Sequence, residues 1–192
     1  MIIISIDIGY INIGLIRATV DECFNVSVID VKKIDLRYIP HTALHPMKCK
    51  IPHTTETCDR VAHLLQEYAH LIDSADHVLL ERQPLCGFKD VEGLIMAAHR
   101  AKTTLISPNS MHKFHGIRHF SYEQRKEQTE RISHPFVGHI EEYANLERKH
   151  DIADAVCVCL FFVNKLKTVH DRQMKMYSSR ARTIPLDEFR LQ

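Results

Sequence analysis

The sequence lacks several features that mark whole classes of protein. Its six cysteines include no C-x-x-C pair and form no regular framework, so a disulfide-stapled domain is not indicated. No apolar run approaches the length of a membrane span, and there is no internal repeat or low-complexity segment. A hydrophobic strand begins almost at Met1, which leaves no room for a signal or transit peptide. We therefore expect a reducing, intracellular compartment, no secretion and no membrane partner.

The chain also carries almost no net charge. The formal charge is +1 over 192 residues, so the protein as a whole has no field that would attract nucleic acid. The charge is unevenly placed, because residues 1–111 carry 11 Lys/Arg and 13 Asp/Glu whereas residues 112–192 carry 14 and 11. A basic segment of this kind can follow phosphates, and a solvated helix end explains it equally well. Its basic residues are Lys165, Lys167, Arg172, Lys175, Arg180 and Arg182, with Asp171 as the single acid between 162 and 182.

The stretch from Ile2 to Gly14 is the part of the chain on which the other elements depend. Its near-continuous β-branched residues predict a strand buried on both faces in the centre of a sheet, and this strand leads to Asp7. A carboxylate in such a place is costly to ionise without a compensating charge. Because a divalent metal ion is the strongest compensating partner, we expect other carboxylates to meet Asp7.

Hydrophobic periodicity predicts three consecutive strands and then strands that alternate with helices. The first helix starts at Thr54 or Thr55 and ends near Ser74, and Asp90 caps the second. No secondary structure is predicted for residues 111–117 or for the last twenty residues. The predicted strands are Ile2–Asp7, Asn12–Val20, Val26–Leu36, His77–Glu81 and Thr103–Ser107, and the predicted helices are 54–74, 90–100, 122–132 and 152–169, with helical character also over 139–147.

The order of these elements predicts one α/β domain over residues 1–192, with a basic C-terminal extension from about residue 166. A crossover helix makes the fourth strand parallel to the first, and right-handed crossovers favour placing the two side by side. The predicted sheet is therefore mixed and five-stranded, in the order 3-2-1-4-5, and flanked by helices. Glu81 then lies beside Asp7 at the carboxyl ends of the strands, where open α/β sheets carry their chemistry.

The start of the last helix brings two more carboxylates. Asp151 and Asp154 are three residues apart and so share one helical face. Two acids in a first turn also suit the helix dipole, and capping is the better explanation of the pair taken alone. Combined with Asp7 and Glu81, the pair favours a metal site. Without metal, four clustered carboxylates repel, so at least one should hold a proton well above the usual Asp range.

Several short motifs resemble the Holliday junction resolvases of the RuvC type, in the ribonuclease H-like superfamily. They are SIDIG at 5–9, VLLERQP at 78–84 and RKHDIADAVCV at 148–158. The branch found in poxviruses and other large DNA viruses is the most similar, because YEQRK at 122–126 resembles its basic motif. Fungal mitochondrial resolvases share a similar start. The likeness spans about residues 2–165, and the segment from 166 onward has no counterpart.

The resemblance implies a Mg²⁺-dependent endodeoxyribonuclease that resolves four-way DNA junctions by paired symmetric nicks. A junction needs two cuts related by a two-fold axis, so a homodimer is implied, acting in the cytoplasm or nucleus of an infected cell if the protein is viral. Two Mg²⁺ ions per site, about 4 Å apart, suit this chemistry and a carboxylate shell, and Mn²⁺ is expected to substitute. The implied catalytic residues are Asp7 as bridging ligand, Glu81, Asp151 and Asp154 as the other metal ligands, and Lys126 at the scissile phosphate; the implied DNA contacts are Gln83, Arg125, Lys126 and Lys149.

Other residues near these motifs have a functional and a plain interpretation. Gln83 either touches DNA or caps the turn before Pro84. Phe88 and the Gly87 loop either wedge into the junction or, as the better interpretation, Phe88 packs under the loop. His150 either assists proton transfer or, more plausibly, lies on the surface. The helix at 90–100 offers an apolar surface for a dimer through Leu94, Ile95, Met96 and Ala97.

A cluster of histidines and cysteines in the long connection is of the residue types that bind zinc. The spacing matches no zinc signature, and 14 histidines make chance clusters easy. A structural zinc is therefore the less favoured interpretation. The cluster consists of His41, His45, Cys49, His53 and Cys58.

Three other functions compete with a junction resolvase. A catalytically reduced DNA-binding module would keep the fold, although drift would remove its carboxylates first. A general branched-DNA nuclease would use the same site without discrimination. An actin- or sugar-kinase-like ATPase also begins with D-x-G, but it needs two such domains and a second glycine-rich phosphate loop, which this sequence does not contain.

Overall fold

A computed structural model of the chain describes residues 1–9, 11–37, 56–85 and 88–181. Five strands form one mixed sheet in the order β3-β2-β1-β4-β5, which confirms the predicted sheet. The first three strands are antiparallel neighbours, and β4 and β5 run parallel to β1. The strands are β1 (Ile2–Ile8), β2 (Asn12–Val20), β3 (Val26–Asp35), β4 (His77–Glu81) and β5 (Thr103–Ile106).

Seven helices lie within the described residues. Their bounds are α1 (Thr57–Glu67), α2 (Ala69–Asp73), α3 (Lys89–Ala98), α4 (Pro108–Phe114), α5 (Tyr122–Val137), α6 (Glu141–Ala144) and α7 (His150–Ala181). None of them combines the length and the hydropathy that crossing a bilayer requires.

The central strand β1 separates two layers of the core. Ile3 and Ile4 are both fully buried, and each belongs to a different hydrophobic cluster. One cluster packs beneath α5 and α7, and the other packs beneath α1 and α3. A strand covered on both faces needs apolar side chains at every position, which explains why the run before Asp7 is not alternating.

The helices on either side of β4 differ from the predicted ones in their division and capping. The predicted helix over 54–74 is divided at Tyr68 into α1 and α2, and its predicted starts, Thr54 and Thr55, lie outside the described residues. Asp90 is not the cap of α3, because the N-cap position is Phe88 and Asp90 stands in the first turn. An acid there still complements the helix dipole.

The last helix is much longer than the apolar run that predicted it. It continues from His150 to Ala181, well beyond the predicted end at 169, and its side chains become exposed once it passes the sheet, with Val169 and Tyr177 each more than half exposed. Of the basic residues, Lys165, Lys167, Arg172 and Lys175 are exposed on this helix, and their contact with phosphates stays a prediction. Arg182, like the zinc candidates His41, His45, Cys49 and His53, lies outside the described residues, whereas Cys58 is exposed at the start of α1.

Candidate active site

Two strands place the first pair of carboxylates. β1 and β4 are parallel and hydrogen-bonded, with Ile6 opposite Leu80. Asp7 and Glu81 each follow directly in their strand, so both side chains lie at the carboxyl edge of the sheet. Asp7 is only 8% exposed, and this burial decides its electrostatics.

A glycine allows the last helix to bring the second pair. Gly14 of β2 lies opposite Asp7, and a Cβ atom on it would overlap the main-chain carbonyl of Asp151. The Ser5 hydroxyl donates a hydrogen bond of 2.7 Å to the carbonyl oxygen of Ala155, which holds the next turn of α7 against β1. The first turn of α7 therefore rests directly on the sheet beside Asp7.

These elements enclose a cleft of about 230 Å³. All four predicted metal ligands line it, and the basic residues Lys126 and Arg125 line it as well. Three further side chains of the cleft had no predicted role of their own: those of His112, Tyr122 and Arg148. The complete lining is Asp7, Ile8, Gly9, Glu81, His112, Tyr122, Arg125, Lys126, Arg148, His150, Asp151 and Asp154.

Asp7 and Glu81 share a hydrogen bond between their side chains. Two carboxyl groups can do so only when one of them is protonated. Burial, followed by the charge of Glu81, raises the pKa of Asp7 well above its usual range. Burial also raises the pKa of Glu81, and the hydrogen bond from Asp7 opposes that shift. The Asp7 carboxyl therefore donates to the Glu81 carboxylate, which agrees with the expectation that the cluster retains a proton.

Asp154 also titrates far from its usual range. Burial and the nearby charge of Asp7 raise its pKa to about 7, against the effect of a hydrogen bond from Thr129. Thr129 lies on α5, one turn after Lys126. The charge of Lys126 also favours the ionised form of Asp154, so α5 supplies both the neutral and the cationic neighbours of this carboxylate.

Asp151 is held differently from the other three carboxylates. Its Oδ2 lies 3.3 Å from Nε of Arg148 and its Oδ1 lies 3.4 Å from Nε2 of His150. Oδ2 is nevertheless buried without a hydrogen-bond partner. His150 is not the surface residue that the sequence favoured, because its side chain is only 15% exposed and lines the cleft. Burial lowers the pKa of the His150 imidazole.

The start of α5 positions the basic side of the cleft. Ser121 and Gln124 form a capping box that fixes the first turn. Lys126 extends over the ring of Tyr122, with its ammonium 4.1 Å from the ring centroid, and Arg125 donates from Nη1 to the carbonyl oxygen of Phe120 at 2.8 Å. Both cations thus have local partners that hold them near the carboxylates.

Two of the predicted DNA contacts do not line the cleft. Gln83 is 8% exposed and donates from Nε2 to the carbonyl oxygen of Glu81 at 3.4 Å, and its main-chain N–H donates to Glu92. Lys149 extends over Tyr143, 5.5 Å from the ring centroid, in a separate groove. Contact of either residue with DNA stays a prediction. Phe88 packs partly buried against the core on the α1 and α3 side, in agreement with its plain interpretation; Gly87 lies outside the described residues.

The donor set suits a divalent cation in its chemistry. Two buried and two half-buried carboxylates, a proton shared by two of them and an unpartnered Oδ2 are what a hard cation with oxygen ligands would relieve. In the described part of the chain, however, no three His, Cys, Asp or Glu side chains are arranged to hold a metal ion. A cation bound there would take the place of the proton that Asp7 and Glu81 share.

The pKa of Asp154 predicts an unusual dependence of stability on pH. A carboxyl with a folded-state pKa of about 7 keeps its proton when the unfolded chain loses it, so the free energy of unfolding of metal-free protein should fall as pH rises from about 4 to 7. The loss is at most about 4 kcal/mol, at 1.36 kcal/mol per pKa unit.

Urea unfolding at several pH values tests this dependence. Asp154→Asn should remove most of the fall and be more stable than the parent at pH 8, whereas Asp90→Asn, which alters an exposed carboxylate, should not. A parent protein whose free energy of unfolding rises steadily between pH 4 and 7 would show that the pKa of Asp154 is not raised in the folded state.

Solved structures reveal proteins of similar fold. The fowlpox virus resolvase, solved with its substrate Holliday junction DNA, has a TM-score of 0.61 and 18% identity, over 86% of this chain and 99% of that one. The yeast mitochondrial Holliday junction resolvase Ydc2 has a TM-score of 0.63 and 15% identity, over 91% of this chain and 85% of that one. Thermus thermophilus RuvC has a TM-score of 0.53 and 15% identity, over 84% and 92%.

The sequence by itself finds no such relatives. No protein-family profile matches the chain, and no curated protein matches it. The likeness to the solved structures therefore concerns the fold, and at that level it confirms the ribonuclease H-like fold that the motifs predicted.

Proposed function

Because this chain has the ribonuclease H-like fold of the Holliday junction resolvases, we propose that it is a structure-specific endonuclease that resolves four-way DNA junctions by paired, symmetric nicks. The observation that carries the proposal is the cleft in which Asp7, Glu81, Asp151 and Asp154 meet opposite Lys126. Carboxylates at the ends of neighbouring strands are the donor set for metal-assisted phosphodiester hydrolysis.

The cations of the cleft orient the scissile phosphate in this proposal. Lys126 is half-buried beside Tyr122 and contacts a non-bridging oxygen. Arg125 takes this role instead if the match to the basic motif is displaced by one residue, since it lines the same cleft. Opposite them, Asp7 and Glu81 would lose their shared proton to solvent, and Asp154 its own proton, if a divalent cation bound, because the cation would lower the pKa of the carboxyls that hold it.

Asp7, Glu81, Asp151 and Asp154 would hold Mg²⁺ in this proposal, with Asp7 as the ligand shared by two ions. Bound there, Mg²⁺ would activate the attacking water and stabilise the leaving oxygen. The Oδ2 atom of Asp151 has no hydrogen-bond partner, so its lone pairs would be available to a metal ion. Mn²⁺ fits the same donors.

A homodimer belongs to this proposal, since two cuts on a two-fold symmetric junction require two active sites. The apolar surface that the sequence predicted on α3 is smaller in the structure. Ile95 is fully buried and Met96 packs partly into the core, so only Leu94 and Ala97 of the four predicted residues are exposed. Any contact through α3 would therefore use a small apolar surface centred on Leu94.

Cleavage of matched DNA substrates tests the proposed function. With Mg²⁺, a synthetic four-way junction should be nicked at symmetric positions near the crossover, and a linear duplex of the same sequences should be cut far more slowly. On a plasmid with an extruded cruciform, paired nicking gives linear product whereas independent nicking gives nicked circles.

The other outcomes identify the competing functions. Equal cutting of duplex and junction would indicate a general nuclease. Tight junction binding with no cleavage in Mg²⁺ or Mn²⁺ would indicate a catalytically reduced DNA-binding module.

A further inference from the structure

Arg148 stands just before α7 and turns back onto a carboxylate of the cleft. Its Nε lies 3.3 Å from Oδ2 of Asp151. The side chain of Arg148 is 48% exposed whereas that of Asp151 is 4% exposed. Oδ2 still lacks a hydrogen-bond partner, so Arg148 compensates the charge of Asp151 without occupying its lone pairs.

The charge of Arg148 also reaches other groups in the cleft. It lowers the pKa of Asp7, against the larger effect of burial, and it disfavours the protonated form of His150. The guanidinium of Arg148 therefore compensates part of the negative charge of the carboxylates, as a bound cation would. It is also half exposed at the mouth of the cleft, on a long side chain that can reorient.

We propose that Arg148 is an exchangeable counter-ion, which pairs with Asp151 in the metal-free protein and moves to a DNA phosphate once a divalent cation takes its place. A guanidinium and a metal ion repel each other, and both are attracted by the charge of the Asp151 carboxylate. Phosphate is the natural second partner, since the guanidinium fork matches its oxygens. The inference rests on the proposed function, because it takes the metal and the DNA from it.

An exchange of this kind couples the two ligands. Arg148 opposes metal binding while DNA is absent and favours DNA binding once metal is present. By linkage, DNA should then raise the affinity for metal by the same factor by which metal raises the affinity for DNA. Arg148 thus lowers the affinity of the site for metal as long as no DNA is bound.

The affinity for Mn²⁺ without DNA tests this role, because the loss of a merely structural contact would not raise that affinity. Mn²⁺ binding is measured by the loss of the free-ion EPR signal, for the parent, Arg148→Ala, Arg148→Lys and Lys149→Ala. Lys149 is the matched control, because it is the next residue and has a similar charge but lies over Tyr143 in another groove. Arg148→Ala should bind Mn²⁺ at least about threefold more tightly, Lys149→Ala should equal the parent, and Arg148→Lys should lie close to the parent.

Junction binding supplies the second half of the test. In Ca²⁺, Arg148→Ala should bind a fluorescent four-way junction more weakly than the parent, with a salt dependence reduced by about one phosphate contact. The inference is overturned if Arg148→Ala, folded by circular dichroism, leaves Mn²⁺ affinity unchanged or lowers it, or if its junction affinity equals that of the parent. Failure of the parent itself to bind Mn²⁺ or the junction would instead overturn the proposed function.

Discussion

Asp7→Asn is expected to reduce junction cleavage at least about 10³-fold, because a bridging metal ligand contributes several kcal/mol to the transition state. Asparagine has nearly the same shape as aspartate, so the fold of β1 should be unchanged. The amide of asparagine can donate to the Glu81 carboxylate as the protonated Asp7 carboxyl does. The variant should therefore be at least as stable as the parent while being almost inactive, which separates function from folding.

The comparison needs both a binding assay and a control variant. Asp7→Asn should still bind the four-way junction, since the cations of the cleft remain, and Asp90→Asn should cleave at the parental rate. Substantial cleavage by Asp7→Asn, within tenfold of the parent, would show that Asp7 is not a metal ligand of the reaction.

Gly14→Ala is expected to have the second largest effect. The added Cβ would overlap the main-chain carbonyl of Asp151, and only a shift of main chain can relieve the overlap, because Gly14 lies in the sheet and Asp151 begins a packed helix. Overpacking of this kind destabilises by about 1–3 kcal/mol or more. The start of α7 must move away from β2, and a misplacement of about 1 Å in an active site can reduce the rate about 10²-fold. We expect both losses together.

A second glycine provides the control for Gly14→Ala. Gly93 lies in the middle of α3, and nothing lies within 4 Å of a Cβ atom built there. Gly93→Ala should raise the free energy of unfolding by about 0.5–1 kcal/mol, as alanine does for glycine within a helix, and leave cleavage unchanged. Guanidinium unfolding and the junction assay measure both variants. Parental activity in Gly14→Ala would mean that the position of α7 over β2 does not matter.

The sheet was predictable because its signals are local. The apolar run before Asp7 indicates a strand buried on both faces, and the period-two pattern and the crossover rules fix its neighbours. Topology then assigned Asp7 and Glu81 to one edge, the spacing of Asp151 and Asp154 together with the motif resemblance added that pair, and the structure places all four in one cleft. Their role as metal ligands is a proposal.

The close approach at Gly14 was not predictable, because it depends on a helix that begins more than 130 residues later. The same holds for His112, which lines the cleft through packing and belongs to none of the motifs. The end of α7 was missed for a different reason: its exposed part is too polar for a periodicity argument that depends on burial. Asp90 was misassigned as a cap because helix boundaries are weakly specified by sequence.

Mn²⁺ binding by the parent and by Asp7→Asn, measured as loss of the free-ion EPR signal, tests the central claim most directly. The account predicts about two ions per chain at saturation for the parent, with binding severely weakened by Asp7→Asn. Equal Mn²⁺ binding by the two proteins, or none by the parent at millimolar concentration, would contradict it.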